Sequence, residues 1–398
     1  MKKIEGTIAS PTGFSADGIH CGLKKYKLDL GWIYSEVPAS VAGVFTTNQV
    51  QAAPLLCSKA VVQSGKIQGI IVNSGNANAC TGEQGLMNAK KMQQLTSKKW
   101  SIDETLVAVA STGVIGHQLP MEKIEVGIET LAQSTNRQGT AFQQAILTTD
   151  TSEKSVVVQT TIAGKEVTLA GCAKGSGMIH PNMATMLGFV TTDADISSKL
   201  LQQLLSELTE VTFNQITVDG DTSTNDMVLV MANGLAKNQP IQADTPDYVA
   251  FKDALAFVLT ELAKLIAKDG EGATKLIEVD VTGAKTASEA RMLAKSVVGS
   301  MLVKSAIFGK DPNWGRILCA LGYSGVTFEP EQVSIHLASL PVFQNGEPVS
   351  FDQVDMAEWL EKEEVKIDVC LQDGVAFGQA WGCDLTYDYV KINALYHT

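Results

Sequence analysis

The residues whose types and spacing most suggest chemistry lie near the middle of the chain, in Gly171-Cys172-Ala173-Lys174-Gly175-Ser176-Gly177-Met178-Ile179-His180-Pro181-Asn182-Met183-Ala184-Thr185-Met186-Leu187-Gly188-Phe189. A glycine-rich turn, a proline and a small residue lead into a threonine, after which the sequence is apolar and β-prone through Val190. This arrangement can set the peptide bond between Ala184 and Thr185 at a tight corner, where the Thr185 hydroxyl would attack the carbonyl before it. The same residues equally describe a loop that only feeds a core strand, so the rest of the chain must separate the two readings.

Other polar segments sit where strands end. Lys66-Ile67-Gln68-Gly69-Ile70-Ile71-Val72 reads as a strand running into Asn73-Ser74-Gly75-Asn76-Ala77-Asn78-Ala79-Cys80-Thr81-Gly82, rich in amides and in residues that tolerate left-handed backbone. Thr105–Ala110 reads as a strand emptying into Ser111-Thr112-Gly113-Val114-Ile115-Gly116, where glycine allows close backbone approach and successive N–H groups can converge as an oxyanion hole. A plain strand-to-helix connection fits both segments as well. Thr217-Val218-Asp219-Gly220-Asp221-Thr222-Ser223-Thr224-Asn225-Asp226 lacks the spacing and terminal Glu of a calcium loop and reads as a hydroxyl-rich wall of a site, or as a capped turn. Glu271 stands between glycines just before a strand, which favours use against a ligand.

Around these segments the chain alternates strands and helices. Helices are expected at 83–98, from Pro120, from Ser197 or Ser198 with Leu200, Leu201, Leu204 and Leu205 on one face, from Pro246 to 266, and from 287 to 302. Residues 156–162 and 167–170 form a predicted hairpin about Ala163-Gly164, and further strands are expected at 227–231, 276–279, 333–337, 365–370 and 374–380. The last ten residues, rich in apolar and aromatic groups, are expected to dock.

Length and composition set the class. With 398 residues, 45% hydrophobic and 19% charged, the chain reads as mixed α/β with layered sheets covered by helices, in two lobes with Thr185 at their junction. A net charge of −12 and the lack of a dense basic block argue against nucleic acid, and Lys24-Lys25-Tyr26-Lys27 reads as a solvated edge. Seven scattered cysteines without a CxxC point to reduced thiols in a cytoplasmic protein. No apolar run approaches 18 residues and the N-terminus has no apolar leader core, so no membrane partner is expected. Five histidines show no HExxH, and no GxSxG, Walker loop or Rossmann fingerprint appears, so neither a metal nor a bound cofactor is expected.

The motifs resemble, essentially end to end, the glutamate N-acetyltransferase or ornithine acetyltransferase family of arginine biosynthesis. The resemblance rests on Phe45-Thr46-Thr47-Asn48, Asn73 to Ala79, Ser111 to Gly116, Lys174 to Ile179, Pro181 to Leu187, Asp219 to Asp226 and Asp311-Pro312-Asn313-Trp314-Gly315-Arg316, in that order. It implies self-cleavage between Ala184 and Thr185 into an α chain of residues 1–184 and a β chain of residues 185–398, which stay associated, with two of each in the assembly. It further implies that Thr185 is the nucleophile, that its freed α-amine is the base, and that Thr112 and Gly113 stabilise the oxyanion. Substrate contacts carried over fall on Thr151, Lys174, Thr185, Glu271, Asn393 and Thr398. The implied reaction passes an acetyl group from N-acetylornithine to glutamate, with acetyl-CoA as a further donor in some members. A hydrolytic aminopeptidase or amidase with the same kind of nucleophile, or a non-catalytic binding protein, are the alternatives.

Overall fold

The hairpin predicted about Ala163-Gly164 forms, pairing strands Lys154–Ile162 and Lys165–Lys174 antiparallel. Both turn residues adopt left-handed backbone, Ala163 at φ 47° and Gly164 at φ 73°, the geometry whose twist matches two right-twisted strands. The structure, a computed structural model, describes residues 1–134, 136–180 and 186–395, so Ala184, Thr185 and Thr398 lie outside the described residues.

The hairpin is part of a nine-stranded sheet ordered Lys2–Ile4, Lys154–Ile162, Lys165–Lys174, Leu187–Thr192, Met227–Ala232, Leu30–Phe45, Lys66–Asn76 and Val107–Val114, with Phe14–Ile19 paired to Leu30–Phe45. At its centre Leu187–Thr192 runs antiparallel to the hairpin and parallel to Met227–Ala232. Met227, Leu229 and Met231 enter one apolar cluster with Leu187 and Phe189, while Val228 and Val230 enter another with Val190 and the helix residues Leu201, Leu204 and Leu205. Both faces are therefore covered, which is why these strands read as unbroken apolar runs rather than as an apolar-polar alternation.

Helices Ser198–Val211 and Pro246–Lys268 cover one face of this sheet, and the Ser197 and Thr245 hydroxyls accept the first-turn N–H groups of Leu200 and Tyr248. A seven-stranded second sheet is ordered Glu347–Pro348, Leu340–Gln344, Ser334–Leu337, Glu364–Cys370, Leu276–Ala284, Ala376–Cys383 and Ile216–Thr217, and helix Ala287–Gly299 packs on it. The fold is thus mixed α and β with two layered lobes, as expected. The two expected cleavage chains share the first sheet, which takes its two central strands, Leu187–Thr192 and Met227–Ala232, from beyond residue 184.

Two local expectations change, and the tail docks as expected. The helix anticipated from 287 to 302 stops at Gly299 because Ser300 turns extended (ψ 115°) and its side chain caps a new helix, Met301–Phe308. Lys24 is not solvated: its Nζ donates to the carbonyls of Leu28 (2.7 Å) and Leu147 (2.5 Å), and burial lowers its pKa to about 8. The tail forms helix Tyr387–Leu395 with none of its residues fully buried; it docks by the Asn393 amide on Glu271 and by Tyr387 edge-on to Phe308.

Candidate active site

Two strand ends meet first. Lys66–Asn76 and Val107–Val114 are parallel neighbours, and the expected polar turns at 73–76 and 111–114 continue these strands, with Gly75 abreast of Gly113. A Cβ on Gly113, whose φ is +132°, would sit 2.4 Å from the Gly75 carbonyl carbon and 2.6 Å from the Asn76 nitrogen, so only glycine allows this approach. Asn225 locks the pair from the neighbouring loop by donating to the carbonyls of Ala77 (2.5 Å) and Ser111 (2.8 Å). The Phe45–Asn48 segment holds that loop in turn: the Thr46 hydroxyl donates to the Ser223 carbonyl and the Asn48 amide to that of Thr222.

The glycine-rich turn after Lys174 is held from the same loop. Asp219 accepts from the Met178 N–H (2.6 Å) and the Ile179 N–H (2.9 Å), and Met178 is left-handed at φ 57°, a conformation that costs a non-glycine residue about 1–3 kcal/mol. The two charge-assisted hydrogen bonds offset that cost and hold the chain leading into the Pro181–Thr185 segment.

Beneath the turn lies a buried charge cluster. Lys154 reaches Asp150 at 2.8 Å and Asp269 at 2.5 Å, and the Lys174 ammonium lies 3.8 Å from Asp150. Burial alone would raise the Asp150 carboxyl, but Lys174 and Lys154 outweigh it and hold the group well below the usual carboxylate range. With its folded pKa depressed, Asp150 adds stability at neutral pH that fades as pH falls below about 4. Lys154→Met strands two buried carboxylates and is expected to lower unfolding free energy by about 3–5 kcal/mol. Urea unfolding followed by circular dichroism measures this, and a loss below about 0.5 kcal/mol would show that the cluster is not structural.

These elements enclose a cavity of about 270 Å³ whose wall includes Thr112, Gly113, Lys174, Glu271 and Asn393, together with Met186 and Leu187. Five residues chosen from the sequence, on four different elements or loops, are thereby brought together beside the first described residues after Thr185. Thr151 is not on this wall. It lines a neighbouring groove, where its hydroxyl and N–H both bond to Asp269. Glu271 is buried against the backbone, where a Cβ on Gly177 would meet its carboxylate at 2.4–2.5 Å. It accepts from the Asn393 amide at 2.8 Å, which fixes the C-terminal helix to the site, and no cation pairs with it among the described residues.

Reasoning on residue types missed Asp150 and Tyr389, and it took Asp226 only as the end of the Thr217–Asp226 wall segment. Asp226 and Tyr389 line the cavity, whereas Asp150 lies under it. Burial, then Asp219 and Glu271, keep the Tyr389 phenol protonated far above its ordinary range. Among the described lining residues the carboxylates Asp219, Asp221 and Glu271, with the buried carboxyl of Asp226 beside them, face a single cation, Lys174. A ligand bearing a positive amine suits such a wall.

A family model described as the ArgJ family matches residues 15–398. The chain belongs to the ArgJ family. It is 59% identical to the arginine biosynthesis bifunctional protein ArgJ of Streptococcus thermophilus strain CNRZ 1066 and 56% identical to that of Listeria monocytogenes serotype 4b strain F2365, with 100% of each chain covered. A crystal structure of the arginine biosynthesis bifunctional protein ArgJ from Bacillus halodurans is 55% identical, with a TM-score of 0.53, over 53% of this chain and all of that one. The chain is accordingly an enzyme, and the ArgJ family is the one its motifs resemble.

Proposed function

We propose that the chain cuts itself between Ala184 and Thr185 and then transfers the acetyl group of N2-acetyl-L-ornithine to L-glutamate through an acetyl ester on Thr185. One observation carries this reading: Thr112, Gly113, Lys174, Glu271 and Asn393 share one cavity wall with Met186, the residue next to Thr185. The relatives' names, which place them in arginine biosynthesis as bifunctional proteins, support it.

The freed α-amine of Thr185, with a reference pKa near 7.7–8, takes the hydroxyl proton as the oxygen attacks the acetyl carbonyl. Thr112 and Gly113 stabilise the oxyanion, each donor being worth about 3–4 kcal/mol. The amine passes the proton to the departing ornithine nitrogen, and the glutamate amine later resolves the ester. Lys174 receives a substrate carboxylate. Acetyl-CoA serves as a second donor, which accords with the relatives being bifunctional. The chains work as an assembly of two α and two β chains in the cytoplasm.

Acetylornithine incubated with and without glutamate tests the reading. With glutamate, ornithine and N-acetylglutamate are expected in equal amounts; without it, release stops near one ornithine per Thr185. Steady release of ornithine and acetate without glutamate would instead mark a hydrolase. Glu271→Gln is expected to lower kcat/KM for acetylornithine about tenfold to a hundredfold, the value of a charged hydrogen bond. A change in KM alone assigns Glu271 to the cationic amine and a change in kcat to tuning of the base, while no change removes it from the site.

A further inference from the structure

Among the described residues four buried side-chain polar atoms have no hydrogen-bond partner: Trp32 Nε1, Thr96 Oγ1, Gln215 Oε1 and Asp226 Oδ2. Only Asp226 among these four residues lines the cavity. A native protein rarely leaves a buried carboxyl oxygen unpaired without a use for it. The place of Asp226 in the sheet supplies one. It is the last residue before strand Met227–Ala232, whose Met227 pairs with Leu187 and donates its N–H to the Met186 carbonyl at 3.0 Å. In this parallel register Asp226 stands abreast of Met186, one residue along the chain from Thr185. Its own carbonyl accepts from the Thr46 N–H at 3.0 Å, so its backbone is held on both sides.

We infer that Asp226, as a neutral carboxylic acid, carries the proton in the self-cleavage step. This rests on the reading of Thr185 given above. As the Thr185 oxygen bonds to the Ala184 carbonyl carbon and the carbon–nitrogen bond breaks, one proton must pass from the hydroxyl to the departing nitrogen. The Asp226 Oδ2–H gives its proton to that nitrogen while its other oxygen takes the hydroxyl proton. The carboxyl ends as it began, and the products are an Ala184 ester and a free amine, with water later hydrolysing the ester. Carrying the proton this way requires the acid to be un-ionised at neutral pH. Burial pushes the Asp226 carboxyl well above the usual carboxylate range, with only partial opposition from the Ser223 hydroxyl and the Lys174 charge. The other ionisable groups on the cavity wall are Asp219 and Asp221 from the same loop, Glu271, and Tyr389 of the C-terminal helix. All the carboxylates among them also favour the neutral form of Asp226.

The test uses full-length chains made by cell-free translation and chased after synthesis is stopped, with the cut followed by intact mass. Asp226→Asn keeps the shape but cannot exchange protons, and its cleavage is expected to be slower by about a hundredfold or more. The wild-type rate falls at alkaline pH as the Asp226 proton is lost, whereas the Asp226→Asn rate stays flat over that range. Asp226→Glu keeps the acid and recovers part of the rate, which a purely structural role would not produce. The inference is overturned if Asp226→Asn cuts within threefold of the wild type, or if Asp226→Glu is as slow as Asp226→Asn. A wild-type chain that never cuts overturns the Thr185 reading as well, so the two failures are distinguishable.

Discussion

Thr185→Ala is expected to remain a single chain of 398 residues, whereas the wild type separates under denaturing conditions into chains of 184 and 214 residues. Alanine removes the only hydroxyl on the residue whose nitrogen belongs to the bond being cut, so no neighbouring side chain can substitute in a five-membered N→O shift. Acetyl transfer is lost with it, because neither the hydroxyl nor a free α-amine is then present. Intact mass spectrometry reads the first effect and the acetylornithine-glutamate assay the second. In the absence of denaturant the two wild-type pieces should stay together. Residues 169–174 ladder with 187–192, residues 40–45 ladder with 227–232, and the buried side chains of the central strands each contribute about 1.5–3 kcal/mol on burial. A folded wild type that stays in one piece would sink the mechanism and return the binding-protein reading.

Gly113→Ala carries the second large effect. The added methyl would lie 2.4 Å from the Gly75 backbone at a φ of +132°, so two paired strand ends must part. Parting them displaces the Thr112-Gly113 backbone from the cavity wall and strains the Asn225 hydrogen bonds to Ala77 and Ser111. Loss of an oriented oxyanion donor is expected to lower kcat by about 10²–10³, with KM changed far less. Steady-state kinetics on the cleaved enzyme, with a thermal melt beside them, check it. Wild-type kcat in Gly113→Ala would remove this glycine from the oxyanion hole. A melt shifted by more than about 10 °C would place the damage in the fold.

Much of the fold could be read from local pattern. The hairpin at Ala163-Gly164, the Ser197 cap and the helix from Pro246 depend on neighbours in sequence, and each appears where expected. The break at Ser300 also carries a local signal, which an unbroken helix over 287–302 overlooks, since its side chain accepts from the Val303 N–H three residues on, as that of Ser197 does from Leu200. The tail docks as its composition suggested, although mainly through other groups. Asn393, named from the sequence, and Tyr389 make its contact with the site, while its aliphatic groups stay largely exposed.

The sequence by itself determined the chemistry on offer: the Ala184-Thr185 bond after a glycine-rich turn, the Thr112-Gly113 pair, the Asp219–Asp226 loop and Glu271 between glycines, because residue type and spacing are local properties. Tertiary structure alone decided which of these meet. It set Asp226 abreast of Met186, drew Lys24 and Lys154 inward and gave Thr151 to Asp269. Register between distant strands and the desolvation of a charge arise only when segments far apart in sequence exclude water together, and no single stretch of the chain encodes either.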